Sequence, residues 1–246
     1  MQPTLSLLCL PCAGASATMY LRWRRLLPRW IEIVPVELPG RGVRLGEDFV
    51  EDFDRMVALL CVEQDAAMRG HFALFGHSMG ALLAWGIAQR LHVTGMTLPR
   101  ALLVSGSAAP SQRDPERFVD LSDDDALIAD LRKQGGTPEE LFLSPELLRM
   151  TLDTLAADYS VCKSFMRVGD ASLPVPLHVL AGQKDDIEPW RIEAWSGETV
   201  HNGFTLDWFE GGHFFIRQQE TRVLSTLAQR LAQSITGGVY APRAFA

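Results

Sequence analysis

The sequence predicts an α/β fold in which a mostly parallel, twisted sheet carries helices on both faces. Three observations support this. Short apolar runs of strand length alternate with helix-length amphipathic stretches, turn-forming residues follow most of the runs, and one long stretch lacks a strand. Alternation of this kind is typical of right-handed βαβ units. A chain of 246 residues suits one domain, residues 1–246, with an insertion.

The apolar runs and the amphipathic stretches define the individual elements. The predicted strands are 4–10, 31–38, 72–75, 101–105, 176–181 and 204–209. The predicted helices run from Ser16 or Thr18 to about Arg29, over 52–68, and from the turn after 75–80 to about Leu91. A final amphipathic helix carries apolar side chains at helical spacing, namely Val223, Leu227, Leu231 and Ile235.

Residues 112–173, approximately, interrupt the alternation of strands and helices, because they hold three helix starts and no convincing strand. The starts are Ser122 before three aspartates, Thr137-Pro138 before two glutamates, and Ser144-Pro145. In the third helix an apolar stripe runs from Leu148 to Met166. We predict an all-helical lid insertion over the active edge of the sheet. A second packing layer without a gating role is the alternative.

The stretch Gly76-His77-Ser78-Met79-Gly80 fits the pattern Gly-x-Ser-x-Gly. It follows a predicted strand and opens a predicted helix. A serine at such a turn lies on a sharp elbow with its hydroxyl exposed, and the flanking glycines are needed because side chains there would clash. This context favours a nucleophile over an ordinary helix cap.

Ser78, Asp185 and His213 each come just after a predicted strand, in the chain order of α/β-hydrolase triads. A serine hydroxyl becomes a good nucleophile only when a base removes its proton, and His213 is the predicted base. A carboxylate must then orient the imidazole and stabilise its charged form. Asp185 is the predicted acid, three residues after Gly182, and Asp186 is the alternative.

Backbone amides must stabilise the oxyanion that forms during attack. The amide of Met79, directly after the nucleophile, is one predicted donor. The other is expected in the loop Pro11-Cys12-Ala13-Gly14 after the first strand, where we favour the Ala13 amide. A plain glycine turn is the alternative for that loop.

Composition limits the possible functions. The net charge of −7 and the pI near 5.4 argue against general nucleic-acid binding. No apolar run reaches the length of a membrane span or a signal peptide, so we expect a cytoplasmic protein. Cys9 and Cys12 fit Cys-x-x-Cys, which leaves a redox or metal role open, but buried thiols are favoured. No ligand spacing predicts a metal, and no cofactor is expected.

Four motifs together carry a family resemblance: Pro11-Cys12-Ala13-Gly14-Ala15, the stretch 37–42 (Glu-Leu-Pro-Gly-Arg-Gly), the elbow 76–80, and Gly211-Gly212-His213-Phe214. The chain resembles the type II thioesterases, stand-alone α/β-hydrolases that accompany non-ribosomal peptide and polyketide synthetases. It is also similar to thioesterases of siderophore clusters. The resemblance covers nearly the whole chain. Cys12 departs from the family, which usually has histidine or another residue there.

The resemblance implies an editing thioesterase. Such enzymes remove stray acyl or aminoacyl groups from the phosphopantetheine arm of carrier domains, which are acidic. Six arginines could steer a carrier to the entrance: Arg22, Arg24, Arg25, Arg29, Arg41 and Arg44. A solvated face is the alternative for these arginines. For the protein, the alternatives are a carboxylesterase or small lipase with the same triad, and an inactive binding module.

Overall fold

The computed structural model describes residues 5–114, 116–118, 120–121, 123–167 and 172–236. The strands are Leu5–Leu10 (β1), Ile31–Pro35 (β2), Phe72–His77 (β3), Leu102–Ser105 (β4), Leu177–Gly182 (β5) and Phe204–Phe209 (β6). The helices are Trp23–Leu26 (α1), Phe53–Glu63 (α2), Asp65–Met68 (α3), Met79–Val93 (α4), Asp124–Gln134 (α5), Glu139–Phe142 (α6), Pro145–Ser164 (α7), Pro189–Glu193 (α8), Phe215–Gln218 (α9) and Glu220–Thr236 (α10). Short 3-10 turns cover Ala17–Tyr20, Gly42–Arg44, Pro110–Gln112 and Ala194–Glu198.

All six strands form one parallel sheet in the order β2-β1-β3-β4-β5-β6. The chain places β2 on one side of β1 and then adds β3 to β6 in turn on the other side. Strand β3 therefore lies between β1 and β4 in the middle of the sheet. Parallel strands all end at the same edge, and the loops after β1, β3, β5 and β6 therefore share one side of the sheet. These are the loops that carry the predicted site residues.

Two apolar cores cover the two faces of the sheet, as the sequence predicts. Side chains alternate along β1, so that Leu8 and Leu10 face one core while Leu7 and Cys9 face the other. Helices α2 and α4 pack on the first face, and α1 and α10 pack on the second. The helices between β4 and β5 form a third apolar cluster around Leu152, Leu155 and Tyr159.

Several predicted helices differ from the observed ones. The helix predicted over 52–68 divides at Gln64 into α2 and α3. The helix predicted from Ser16 to Arg29 is a 3-10 turn followed by the short α1, because Leu27, which precedes Pro28, is held in extended conformation. Helix α7 ends at Ser164, so Met166 lies beyond it and is exposed. Asp123 caps α5 through the Ala126 amide, and Ser122 lies outside the described residues.

No helix in the described ranges is both long and apolar enough to span a membrane.

Candidate active site

Ser78 lies on the elbow that the sequence predicts. It is the one non-glycine residue with a positive φ in the described part of the chain, at φ 56°. The elbow is tight, since a Cβ at Gly76 would lie 2.0 Å from the Gly80 carbonyl oxygen and one at Gly80 would lie 2.2 Å from the Leu10 oxygen. The Ser78 amide donates to the Ser105 carbonyl at 2.8 Å. The strained serine is therefore fixed between β3 and α4 and anchored to β4.

His213 and Asp185 form a hydrogen-bonded pair. The loop after β6 brings His213 Nδ1 to 2.9 Å from Asp185 Oδ2 in the loop after β5. The carboxylate is 2% exposed and the imidazole 12%. In a neutral imidazole that donates from Nδ1 to this carboxylate, Nε2 has a free lone pair. This tautomer is the one a general base requires.

Asp186, the alternative acid, points elsewhere. It pairs with Lys133 of α5 at 2.8 Å, and both side chains are more than half exposed. The structure thus brings Asp185, rather than Asp186, to His213.

His77 packs behind His213, a contact that no sequence pattern indicates. Their ring centroids are 5.0 Å apart. His77 is fully buried and its Nδ1 lies 3.0 Å from the Ser105 hydroxyl. Burial, with smaller effects from His213 and Arg217, holds the pKa of His77 well below its ordinary value. A neutral His77 therefore supports the His213 ring without adding a second charge beside it.

In the loop after β1, two of the amides that follow Cys12 already have acceptors within the protein. The Gly14 amide donates to Asp158 Oδ2 at 2.8 Å, and the Ala15 amide donates to the Cys12 carbonyl at 3.1 Å. Two of the three consecutive amides are therefore committed to the protein. The Met79 amide is at the first position of α4, where a helix offers it no carbonyl partner.

Arg41 and Asp158 form a buried ion pair that holds this loop. The two guanidinium nitrogens lie 2.6 and 2.7 Å from the two carboxylate oxygens. Arg41 also donates to the Ala15 carbonyl at 3.2 Å. Burial raises the pKa of Asp158, and Arg41 and the Gly14 amide oppose that effect. The pair therefore ties α7 to the loop that carries Ala13.

Arg41 was expected among the arginines that could meet a carrier, and for this residue the expectation is wrong. Its side chain is 5% exposed and that of Asp158 is 1% exposed. The two residues are 117 positions apart. The polar residue Asp158 lies within the apolar stripe of α7, and this mismatch is the one sequence signal that could have indicated a buried partner.

One cavity of about 740 Å³ is lined by all five predicted site residues, Ala13, Ser78, Met79, Asp185 and His213. Its remaining wall comes largely from α5, α7 and the residues that join β4 to α5. This volume is in the range of small-molecule sites. The three loops of the predicted triad thus open onto a single cavity.

The loop between α5 and α6 closes over this cavity beside His213. Arg217 donates to the Gly136 carbonyl at 2.6 Å and stacks on Phe214, whose ring lies directly against Gly136. Together with the Lys133–Asp186 pair, these contacts join α5 to the loops that hold His213 and Asp185.

A second cavity, of about 1010 Å³, lies near the amino ends of the strands and is lined by His71, His178 and His201. It holds none of the predicted site residues. His178 is buried between the hydroxyls of Thr205 and Ser234. Because burial disfavours the charged ring, the pKa of His178 falls to about 4. This histidine is a satisfied core residue.

The Cys-x-x-Cys pair does not form a reactive site. Cys9 and Cys12 are both free and buried, and Cys9 belongs to the core on the face of the sheet that α1 and α10 cover. Burial raises the pKa of the Cys12 thiol to about 12, so it is protonated at neutral pH. Within the described residues, no three His, Cys, Asp or Glu side chains are grouped to hold a metal ion.

Comparison with known proteins shows which family the chain resembles in sequence and fold. The thioesterase domain family matches residues 6–231. Thioesterase PikA5 of Streptomyces venezuelae is 33% identical over 227 residues, 92% of this chain and 80% of that protein. Gramicidin S biosynthesis protein GrsT of Aneurinibacillus migulanus is 30% identical over 228 residues, 92% and 89% of the two chains.

Among solved structures, the type II thioesterase BorB from the borrelidin biosynthetic cluster has a TM-score of 0.84 and 36% identity, covering 94% of this chain and 95% of that one. Fold, cavity and sequence therefore agree: the chain belongs to the thioesterase domain family.

Proposed function

We propose that this protein is a serine thioesterase that hydrolyses stray acyl and aminoacyl thioesters from the phosphopantetheine arm of carrier domains in non-ribosomal peptide or polyketide biosynthesis. The observation that carries the proposal is the strained Ser78 opening onto the same cavity as the His213–Asp185 pair. Membership of the thioesterase family supports thioester chemistry. The similarity to a type II thioesterase supports the editing role.

In the proposed reaction Ser78 Oγ attacks the thioester carbonyl carbon while His213 Nε2 takes the hydroxyl proton. Asp185 holds the other ring nitrogen and stabilises the imidazolium. The C–S bond then breaks, and His213 returns the proton to the departing pantetheine sulfur. Water, deprotonated by His213, releases the acid from the acyl-enzyme and restores Ser78.

The amides of Ala13 and Met79 are the proposed oxyanion donors during both steps. Arg41 and Asp158 act on the first of them indirectly, because they fix the Gly14 amide next to it. A fixed donor costs no reorganisation when charge develops on the carbonyl oxygen.

Helices α5 to α7 are the proposed lid of the acyl chamber. They follow β4 and supply Leu131, Leu141, Leu155 and Tyr159 to the cavity wall. An apolar cover over the scissile bond excludes bulk water and strengthens the electrostatic interactions beneath it. The four free cysteines fit a reducing compartment, and we place the protein in the cytoplasm with its carriers.

The test of this function is a comparison of rates. We expect kcat/KM for an acetyl or aminoacyl thioester on a purified carrier domain to exceed that for a p-nitrophenyl ester of the same acyl group by about tenfold or more. Intact-protein mass spectrometry of the mis-loaded carrier measures the first rate directly. A faster reaction with the oxygen ester would favour the carboxylesterase alternative.

Docking of an acidic carrier is expected at α1. Thr18 and Met19 line the cavity, and Arg22 and Arg25 follow them on exposed positions. Arg22 is 76% exposed, with a single long ion pair of 3.5 Å to Glu220. Arg44 is less available, because it pairs with Glu47 and Glu63.

We therefore expect the double variant Arg22→Glu and Arg25→Glu to raise KM for a carrier-bound substrate about tenfold or more at low salt, and to spare acyl-pantetheine. The matched control is Arg69→Glu with Arg100→Glu, which changes the net charge equally beside the second cavity. Equal effects of the α1 variant on carrier-bound and free thioesters would contradict docking at α1.

A further inference from the structure

The cavity continues past the catalytic loops along α7. Leu155 packs on Gly14 beside the oxyanion loop, and Cys162 lies seven residues further along the helix. At 1.5 Å per residue, this places Cys162 about 10 Å beyond Leu155. We call the surface at this level the distal wall, formed by Arg113, Arg117, Phe118, Tyr159 and Cys162. Ser78 and the distal wall line the same cavity, which gives an acyl chain on Ser78 room to extend toward this wall.

One of the two guanidiniums of the distal wall is neutralised. Arg117 donates to both oxygens of Asp130 of α5, at 2.9 and 3.2 Å. The Tyr159 hydroxyl donates to the same carboxylate, which is 7% exposed. Asp130 is thus fully engaged by Arg117 and Tyr159, and it has no remaining charge to offer a second cation.

Arg113 is the excess positive charge of this wall. Its guanidinium donates to the Cys162 carbonyl at 3.1 Å and stacks on Phe118 and Phe165, with centroid distances of 5.9 and 5.4 Å. None of the carboxylates in the described ranges forms an ion pair with it, and the adjacent Asp114 pairs with Arg191 instead. A guanidinium has five N–H donors, and one known hydrogen bond leaves most of them for a ligand.

We infer that Arg113 recognises a carboxylate at the far end of the acyl group, so that dicarboxylic half-thioesters are preferred substrates of this chamber. The inference rests on the proposed thioesterase function. The planar fork of a guanidinium matches a carboxylate in a bidentate arrangement. Aromatic rings lie on two sides of the half-buried Arg113, and an ion pair formed there is screened less than one at the surface. A plain alkyl chain leaves this charge without a partner.

The test uses soluble pantetheine thioesters in pairs of equal chain length: malonyl with propionyl, succinyl with butyryl, and glutaryl with pentanoyl. We expect wild-type kcat/KM for at least one dicarboxylic member to exceed that of its neutral partner by about tenfold or more. Only the dicarboxylic member forms a hydrogen bond with the charged Arg113, and the loss of such a bond lowers kcat/KM by about this factor. Arg113→Met should remove that preference mainly through KM and change the neutral substrates by less than about twofold. Arg113→Lys should keep part of it, because the charge remains.

Arg149→Met is the matched control, an arginine of α7 that pairs with Asp124 and Asp153 at the surface. It should leave both substrate series unchanged. Neutral substrates hydrolysed at least as fast as their dicarboxylic partners by the wild type would overturn the role of Arg113 and leave the thioesterase function standing. This comparison needs no variant, so it decides the question even if Arg113→Met does not fold. Absence of turnover with every thioester, including an acyl-carrier, would instead refute the proposed function and this inference with it.

Discussion

Replacing Ser78 with alanine is expected to lower kcat for thioester hydrolysis by about 10⁴-fold or more while the protein stays folded. The variant removes the only hydroxyl on the elbow between β3 and α4 and leaves no atom to form the acyl-enzyme. Burst kinetics with an acyl-pantetheine, or mass spectrometry of the trapped acyl-enzyme, would show the loss of the covalent step in addition to the loss of turnover.

Asp185 and Asp186 provide a matched pair for the same site. Asp185→Asn should lower kcat by about 10³- to 10⁴-fold, because an amide no longer selects the His213 tautomer with a free Nε2. Asp186→Asn should change kcat by less than about twofold, since Asp186 faces Lys133 at the surface. Full cellular function of a turnover-deficient Ser78→Ala protein would favour the binding-module alternative.

Replacing Asp158 with alanine is expected to lower the free energy of unfolding by about 3–5 kcal/mol. The substitution leaves the Arg41 guanidinium buried without a counter-ion and removes the acceptor of the Gly14 amide. For a chain of this size, each kcal/mol lowers the thermal midpoint by about 2–4 °C. Differential scanning calorimetry would therefore record a loss of roughly 10 °C or somewhat more.

Two further variants separate this ion pair from helix α7 itself. Asp153→Ala changes an exposed carboxylate on the same helix and should leave the midpoint almost unchanged. The double variant Arg41→Met with Asp158→Leu removes both charges and should recover part of the stability lost in Asp158→Ala. Equal thermal midpoints for Asp153→Ala and Asp158→Ala would show that the buried ion pair contributes no more to stability than the exposed carboxylate does.

The fold was largely predictable because each element depends on local pattern. Apolar runs of strand length predicted four of the strands to within about two residues and β6 at its observed bounds, whereas β2 ends three residues before its predicted end. Prediction was weakest between Ser16 and Arg29. There, helical spacing competes with Pro28 and with the burial of Tyr20 and Trp23 against β3, which the sequence does not display.

The candidate site was predictable where a residue's place after a strand decides its position. Ser78, Asp185 and His213 follow from this rule, since parallel strands end together. The rule does not choose between Asp185 and Asp186, because the side chains of neighbouring loop residues point in different directions. The roles of His77 and Arg41 could not be predicted, because each depends on a contact between distant parts of the chain, and for Asp158 the sequence signals only that a buried partner exists.

The unequal attachment of the helices between β4 and β5 has a consequence for how a substrate reaches Ser78. Helix α7 is held by a water-excluded, bidentate ion pair, whereas α5 and its following loop are held at the rim by the solvent-exposed Lys133–Asp186 bridge and the Arg217–Gly136 contact. Solvent competes for the second kind of contact but not for the first. The loop after α5 therefore separates from the catalytic loops with less work than α7 does, so the gap should open between that loop and Phe214, while Asp130 keeps α5 on Tyr159 of α7 and the surface that positions the Ala13 amide stays in place.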